Sequence, residues 1–190
     1  MSYLKRMEAR QKPGSNGTGS NGLRGAAAPV VAAAGAHLER AMREISAGKY
    51  QKAIDLLVNA GKEPVCRNAV GVCLLRLGRY DDAIRVFREF VVNPGCTWLR
   101  SELPAAYKIN FATALLLGGH PNGCLDVLAE VRDEQNPAVV RLRDALRQWQ
   151  STLPFLTRLS WSFGRIEPVG RPLTLYFLPG DVEPTTHNSE

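Results

Sequence analysis

Helical periodicity begins near residue 34 and continues, with breaks at glycine and proline, to about residue 150. Apolar residues recur there every three to four positions, which predicts amphipathic α-helices. Two segments align without a gap, SAGKYQKAIDLL at 46–57 and RLGRYDDAIRVF at 76–87, and both read G-x-Y-x-x-A-I. A third, LGGHPNGCLDVL at 117–128, keeps the glycine and a small residue at the alanine position, but has proline where the others have tyrosine. We therefore expect about three copies of one helical unit.

The pattern predicts that each unit is a pair of antiparallel helices. A glycine ends the first helix, where φ must become positive, and a small residue seven positions earlier lets the second helix approach closely. These glycines and small residues are Gly48 with Ala41, Gly78 with Gly71, and Gly119 with Ala112. A single hairpin cannot bury its own apolar face, so the units are expected to stack on one another.

These features resemble the tetratricopeptide (TPR) repeat, which pairs small residues at a helix crossing with G-x-Y-x-x-A at the hairpin. The resemblance covers about residues 34–135 and is strongest from Asn68 to Pro94. The hairpin glycines are 30 and then 41 residues apart, rather than the usual 34, so the connection after Pro94 must be enlarged. The resemblance implies an all-α fold, a TPR-like α-solenoid of about three helical hairpins over residues 29–135. The alternative is an unrelated helical bundle.

The chain after the third unit changes in character twice. Asn136 and Pro137 form a helix start, and residues 136–163 are expected to form capping helices on the open end of the array. Residues 164–190 contain LTLYFL, which is rich in β-formers and predicts an extended segment with a loose end. Residues 153–178 are too apolar to remain exposed, so we expect this region to pack on the array, within the groove or elsewhere, or to pair with a second chain.

The N-terminal residues 1–28 are rich in glycine, serine and asparagine, and predict a disordered arm. The arm holds five basic residues and one acidic residue, so it carries most of the net charge of +6. Association with nucleic acid or an anionic membrane through this arm is therefore an alternative function. Neither a long apolar run nor a signal-like apolar region follows the first basic residues, and we expect a cytoplasmic protein.

No motif for catalysis stands out in the sequence. It lacks GxxxxGK[ST], HExxH, CxxC and GxSxG, and we expect neither an enzyme nor a small-molecule substrate or cofactor. Cys96, His120 and Cys124 are the only grouping that resembles a metal site. Since His120 precedes a helix-initiating proline, core thiols and a surface histidine are the favoured interpretation, with no bound metal.

The resemblance to TPR proteins implies a groove lined by the first helix of each unit, which takes a peptide or segment of another protein. The corresponding positions are Leu38, Met42 and Ile45 in unit one, Asn68, Val72, Leu75 and Arg76 in unit two, and Ile109, Thr113 and Leu116 in unit three. This groove is mostly apolar, and about half of these residues are expected to belong to the core between units. The sequence thus favours a non-enzymatic interaction adaptor, with a small secretion-type chaperone as a further alternative. The partner and the oligomeric state stay open.

Overall fold

The structure of the protein is a computed structural model that describes residues 27–168, 170–171 and 173–182, with side chains from Gly35 onward. This part of the chain contains eight α-helices and no strand. The helices are α1 Ala27–Ser46, α2 Tyr50–Val58, α3 Pro64–Arg76, α4 Tyr80–Val91, α5 Ala105–Leu117, α6 Pro121–Val131, α7 Pro137–Thr152 and α8 Phe155–Gly164. Most of the arm predicted over residues 1–28 lies outside the described residues.

Helices that are neighbours in sequence pack against each other from α1 through α6. Helices α1 and α2, α3 and α4, and α5 and α6 form three successive hairpins, and α3 also contacts α5. The predicted all-α fold of about three helical hairpins is confirmed. Helix α1 begins at Ala27, earlier than the periodicity predicted. Alanine has the highest helix propensity, so the alanine-rich run before residue 37 favours a helix although its sequence shows no amphipathic pattern.

The three hairpin turns share one backbone geometry. Gly48, Gly78 and Gly119 have φ of 72°, 74° and 85°. After each glycine the next N–H donates to the carbonyl five residues earlier: Lys49 to Glu44 at 2.8 Å, Arg79 to Leu74 at 2.9 Å, and His120 to Leu115 at 2.8 Å. This bond is the signature of a helix that ends on a left-handed residue. The three segments are therefore alike in structure as well as in sequence.

Gly71 of α3 lies directly against the ring of Phe87 on α4. A Cβ atom at this position would lie 2.4 to 2.8 Å from three ring carbons of Phe87, well inside van der Waals contact. Phe87 is fully buried, as are Ala41 and Ala112 at the equivalent positions of the other two hairpins. Glycine is needed at position 71 because the unit-two crossing must accommodate a phenylalanine ring.

The enlarged connection between α4 and α5 is a closed loop. Val92 and Leu99 form an isolated antiparallel bridge, and the Asn93 side chain donates to the carbonyls of Trp98 and Leu99 at 3.3 Å. The Leu99 N–H donates to the Glu130 carboxylate on α6 at 3.0 Å. These bonds hold the insertion against the third hairpin.

Helices α7 and α8 follow the third hairpin. The Asn136 side chain caps α7 by accepting from the Ala138 N–H at 3.0 Å, and α7 contacts α5. Helix α8 is held by Trp161, whose indole N–H donates to Asn122 of α6 at 2.8 Å. The expectation that residues 153–178 bury their apolar side chains is wrong for much of α8. Its large exposed apolar residues are Phe155, Leu156, Leu159 and Phe163, the last with 84% of its surface exposed.

Candidate functional site

The last described residues of the chain, Pro179 to Val182, lie against α3 and α5. We call the surface that they contact the groove; it is lined by Asn68, Val72, Leu75, Arg76 and Asn110. Helices α3 and α5 are the first helices of the second and third hairpins, and both carry apolar residues on nearly every side. The polar side chains of the groove therefore project from an otherwise apolar surface.

Asn110 binds both backbone polar groups of Asp181. Its Nδ2 donates to the Asp181 carbonyl at 2.7 Å, and its Oδ1 accepts from the Asp181 N–H at 2.9 Å. Asn110 is only 2% exposed. A buried amide needs hydrogen-bond partners, and here the backbone of another segment supplies them.

Asn68 extends this hydrogen-bond network towards the end of the chain. Its Nδ2 lies 3.2 Å from the carbonyl oxygens of both Asp181 and Val182, and its Oδ1 accepts from Asn110 at 2.8 Å. Asn68 is completely buried. The two asparagines thus join α3 to α5 and together bind the same residue of the C-terminal segment.

Arg76 binds the carbonyl groups at the other end of the same stretch. Its Nε donates to the Pro179 carbonyl at 3.3 Å, and its Nη2 donates to the Gly180 carbonyl at 2.9 Å. The guanidinium also lies over the ring of Tyr50, 5.6 Å from its centroid. Arg76 and the two asparagines together donate hydrogen bonds to four consecutive carbonyl oxygens, those of residues 179–182.

Gly180 fits against the apolar floor of the groove. Its φ is 79°, and a Cβ atom there would lie 3.0 and 3.1 Å from the two methyl groups of Val72 and 3.4 Å from a methyl of Leu75. Any other residue would be strained in this backbone conformation and would press on Val72. The groove therefore places a steric requirement at this one position.

An open apolar cavity adjoins Val182. Its volume is about 420 Å³, and it is lined by Leu38, Glu39, Met42, Arg43, Val65, Ala69 and Val182. Leu38 and Met42 lie on α1, and Val65 and Ala69 lie on α3, so the cavity separates the first two hairpins. Val182 is only partly buried and is one of the residues that line this space.

The chain before Pro179 forms neither helix nor strand, bends at Tyr176 and Phe177, and packs on the array on one side. Leu173, Leu175 and Phe177 are partly buried against the core, whereas Tyr176 and Leu178 are exposed. Alternate side chains of this stretch thus meet the array and the solvent. The Arg141 guanidinium lies 5.3 Å from the centroid of the Phe177 ring, which ties the segment to α7.

The residues predicted for the groove have three different locations. Asn68, Val72, Leu75 and Arg76 contact the C-terminal segment, and Leu38 and Met42 line the adjoining cavity. Ile45, Ile109, Thr113 and Leu116 are buried among the helices, and the Thr113 hydroxyl donates to the Ile109 carbonyl of its own helix. Alignment from the hairpin glycines missed Asn110, since it placed the neighbouring Ile109 at the position equivalent to Asn68. Two asparagines at nearly equivalent positions in two apolar helices were the available signal.

The cysteines and the histidine of the third unit do not come together. Burial raises the pKa of the Cys73 thiol to about 11 and that of Cys124 to about 12, so both stay protonated at neutral pH. His120 lies 3.5 Å from Glu167, and Cys96 is exposed on the enlarged loop. Among the described residues, no three histidine, cysteine or acidic side chains are grouped so that they could hold a metal ion.

Comparison of the chain with family models, curated proteins and solved structures finds no match. None of the helices in the described part is long and apolar enough to cross a membrane.

Proposed function

We propose that the protein is a non-enzymatic TPR-like adaptor whose groove binds an extended segment of a partner protein. The observation that carries this proposal is the binding of four consecutive backbone carbonyls by Asn68, Arg76 and Asn110. Recognition of an extended peptide through its backbone, with specificity from one or two pockets, is a recurring mode of protein interaction. The three hairpins with the same glycine geometry support the assignment to TPR-like repeats.

The burial of the two asparagines supports a binding role over a purely structural one. A fully buried amide stabilises a fold only when its hydrogen bonds are made, because an unpaired buried amide keeps its full desolvation cost. Asn68 and Asn110 bond to each other and to the C-terminal segment, and both are almost inaccessible to solvent. Their arrangement suits a surface that must recognise a peptide backbone.

The C-terminal segment acts in this proposal as a built-in occupant that the partner displaces. A segment of the same chain competes at an effective concentration on the order of millimolar. A partner therefore needs contacts that the segment lacks, or must bind when the segment has been released. The segment contacts the groove mainly through hydrogen bonds between groove side chains and its own backbone. Each of these bonds contributes about 1 kcal/mol net, so displacement of the segment is feasible.

The proposal is tested by recovering partners with four tagged full-length proteins from cells that normally produce the chain. The first is the wild type, and the second carries Gly180→Val, which releases the segment without altering the groove. The third adds Asn68→Ala and Asn110→Ala to Gly180→Val. The fourth is the matched control, which adds Asn59→Ala, at an exposed position, to Gly180→Val. We expect a partner that is enriched by Gly180→Val, retained with the control and lost with the asparagine pair. Equal recovery by all of these proteins would contradict the proposal.

A further inference from the structure

We propose that the groove selects a partner segment of the form Gly-x-Φ, in which Φ is an apolar residue larger than valine. This inference rests on the proposed function and specifies the sequence that the groove reads. It follows from three positions of the bound segment, Gly180, Asp181 and Val182, each of which meets a different environment.

The first position must be glycine for two independent reasons. The backbone at Gly180 has φ of 79°, which residues with a Cβ adopt only with strain. The space where a Cβ would lie is taken by the methyl groups of Val72 at 3.0 and 3.1 Å. The chain cannot rotate to relieve this contact without losing the bonds from Arg76 to the carbonyls of Pro179 and Gly180.

The second position accepts almost any side chain. Asp181 is exposed, and its bonds to the groove come from its backbone N–H and carbonyl, which pair with Asn110 and Asn68. Proline is excluded because it has no N–H to donate to Asn110. The middle residue of the motif is thus defined by its backbone alone.

The third position faces the cavity of about 420 Å³ between the first two hairpins. Val182 lines this cavity, and the other apolar residues of the lining are Leu38, Met42, Val65 and Ala69. Glu39 and Arg43 bring opposite charges to the rim, so the cavity has no net charge preference. Leucine, methionine or phenylalanine would reach further into this space, and each added buried methylene corresponds to about a fourfold gain in affinity.

The C-terminal segment therefore has the correct glycine but a small residue at the third position. It holds the groove in the absence of a partner and binds less tightly than the best ligand. A partner segment with a larger third residue gains the cavity contacts that the chain's own segment does not make.

The test uses full-length protein carrying Gly180→Val and labelled peptides based on residues 173–184, LTLYFLPGDVEP. Binding is measured by fluorescence anisotropy. We expect the unchanged peptide to bind this variant at least tenfold more tightly than it binds wild-type protein, in which the segment competes. Within the peptide, Gly180→Ala is expected to weaken binding at least tenfold and Val182→Leu to strengthen it about fourfold. Tyr176→Ser, at a position that is exposed in the structure, is the control and should have little effect.

A second full-length variant, Asp181→Pro, releases the segment by removing its N–H and is expected to bind the same peptides in the same order. If Gly180→Ala and Val182→Leu peptides bind as the unchanged peptide does, the motif is wrong and the groove still binds peptides. If no peptide binds either variant while both melt cooperatively, the inference is overturned. The recovery of a partner that depends on Asn68 and Asn110 would then still support the adaptor function.

Discussion

Asn110 and Asp181 form a two-point contact in which one side-chain amide pairs with the N–H and the carbonyl of one residue, at 2.9 and 2.7 Å. The two residues are 71 positions apart in the sequence. The contact fixes the position of the C-terminal segment along α5, because a shift by one residue would bring a carbonyl or N–H to the wrong amide atom. It also makes Asn110 the side chain whose replacement is most informative.

Asn110→Ala is expected to lower the free energy of unfolding by about 1–3 kcal/mol, because it leaves the Asp181 N–H without its acceptor and removes one donor each from the Asp181 carbonyl and from Asn68. It should also release the end of the chain, so that amide exchange at Asp181 and Val182 becomes fast while α3 and α5 stay protected. Urea denaturation and hydrogen exchange measure the two effects. Asn59→Ala, at an exposed helix end, is the control, and equal losses in the two variants would contradict this role of Asn110.

Gly71→Ala is expected to destabilise the protein by about 1–3 kcal/mol, although alanine normally favours helix. The reason is the Phe87 ring, which lies 2.4 Å from the position of the added Cβ. Gly35→Ala in α1 is the matched control, because no atom lies within 4 Å of the equivalent Cβ. Thermal melts should show opposite or unequal shifts for the two variants, and partial recovery when Phe87→Leu is combined with Gly71→Ala. Identical melting of both single variants would disprove the close crossing.

The stability of the protein is expected to fall as the pH rises above about 9. Burial raises the pKa of Cys124 from 9.0 to about 12, so the folded state keeps a proton that the unfolded chain loses. The contribution is fully present below the ordinary thiol pKa and decreases by about 1.4 kcal/mol per pH unit between these values. Denaturation curves at several pH values measure this slope. Cys124→Ala should make this slope shallower and leave the part contributed by Cys73, because burial also raises the pKa of that thiol, to about 11. An unchanged slope in the variant would assign the whole effect to other groups.

The exposed and buried aromatic residues of α8 are expected to respond differently to substitution. Phe163→Ser should reduce the binding of a hydrophobic dye and change the stability by no more than about 0.5 kcal/mol, because this ring is 84% exposed. Trp161→Ala should destabilise the protein by about 3 kcal/mol, since it removes the bond to Asn122 and the edge contact with Trp149. Dye fluorescence and thermal melts distinguish the two, and similar melts would show that α8 is not anchored by Trp161.

The hairpins were predictable because their signals are local. Gly48, Gly78 and Gly119 end helices through their own backbone conformation, and the small residues precede them at a fixed distance. Asn68 and Arg76 were likewise found from their position relative to one glycine.

The occupant of the groove was not predictable in detail, because contacts between α3 and residues more than 100 positions later depend on where the chain turns. Asn110 was missed for a related reason. Asn110 stands nine residues before its hairpin glycine and Asn68 stands ten before its own, yet both contact the same residue of the C-terminal segment. The exposed face of α8 shows a different limit. The number of apolar residues in a segment does not reveal which of them meet the core.

The network around the C-terminal segment has a mechanical consequence. Arg76 stacks on Tyr50 of the first hairpin and binds Gly180, and the same stretch of chain reaches Asn110 on the third hairpin. A repeat array can bend and change its curvature, because each unit otherwise contacts only its neighbours. A peptide bound across all three hairpins connects repeats that are not neighbours, and so restrains their movement relative to one another. Occupancy of the groove would therefore stiffen the array and set its curvature, whichever chain the peptide comes from.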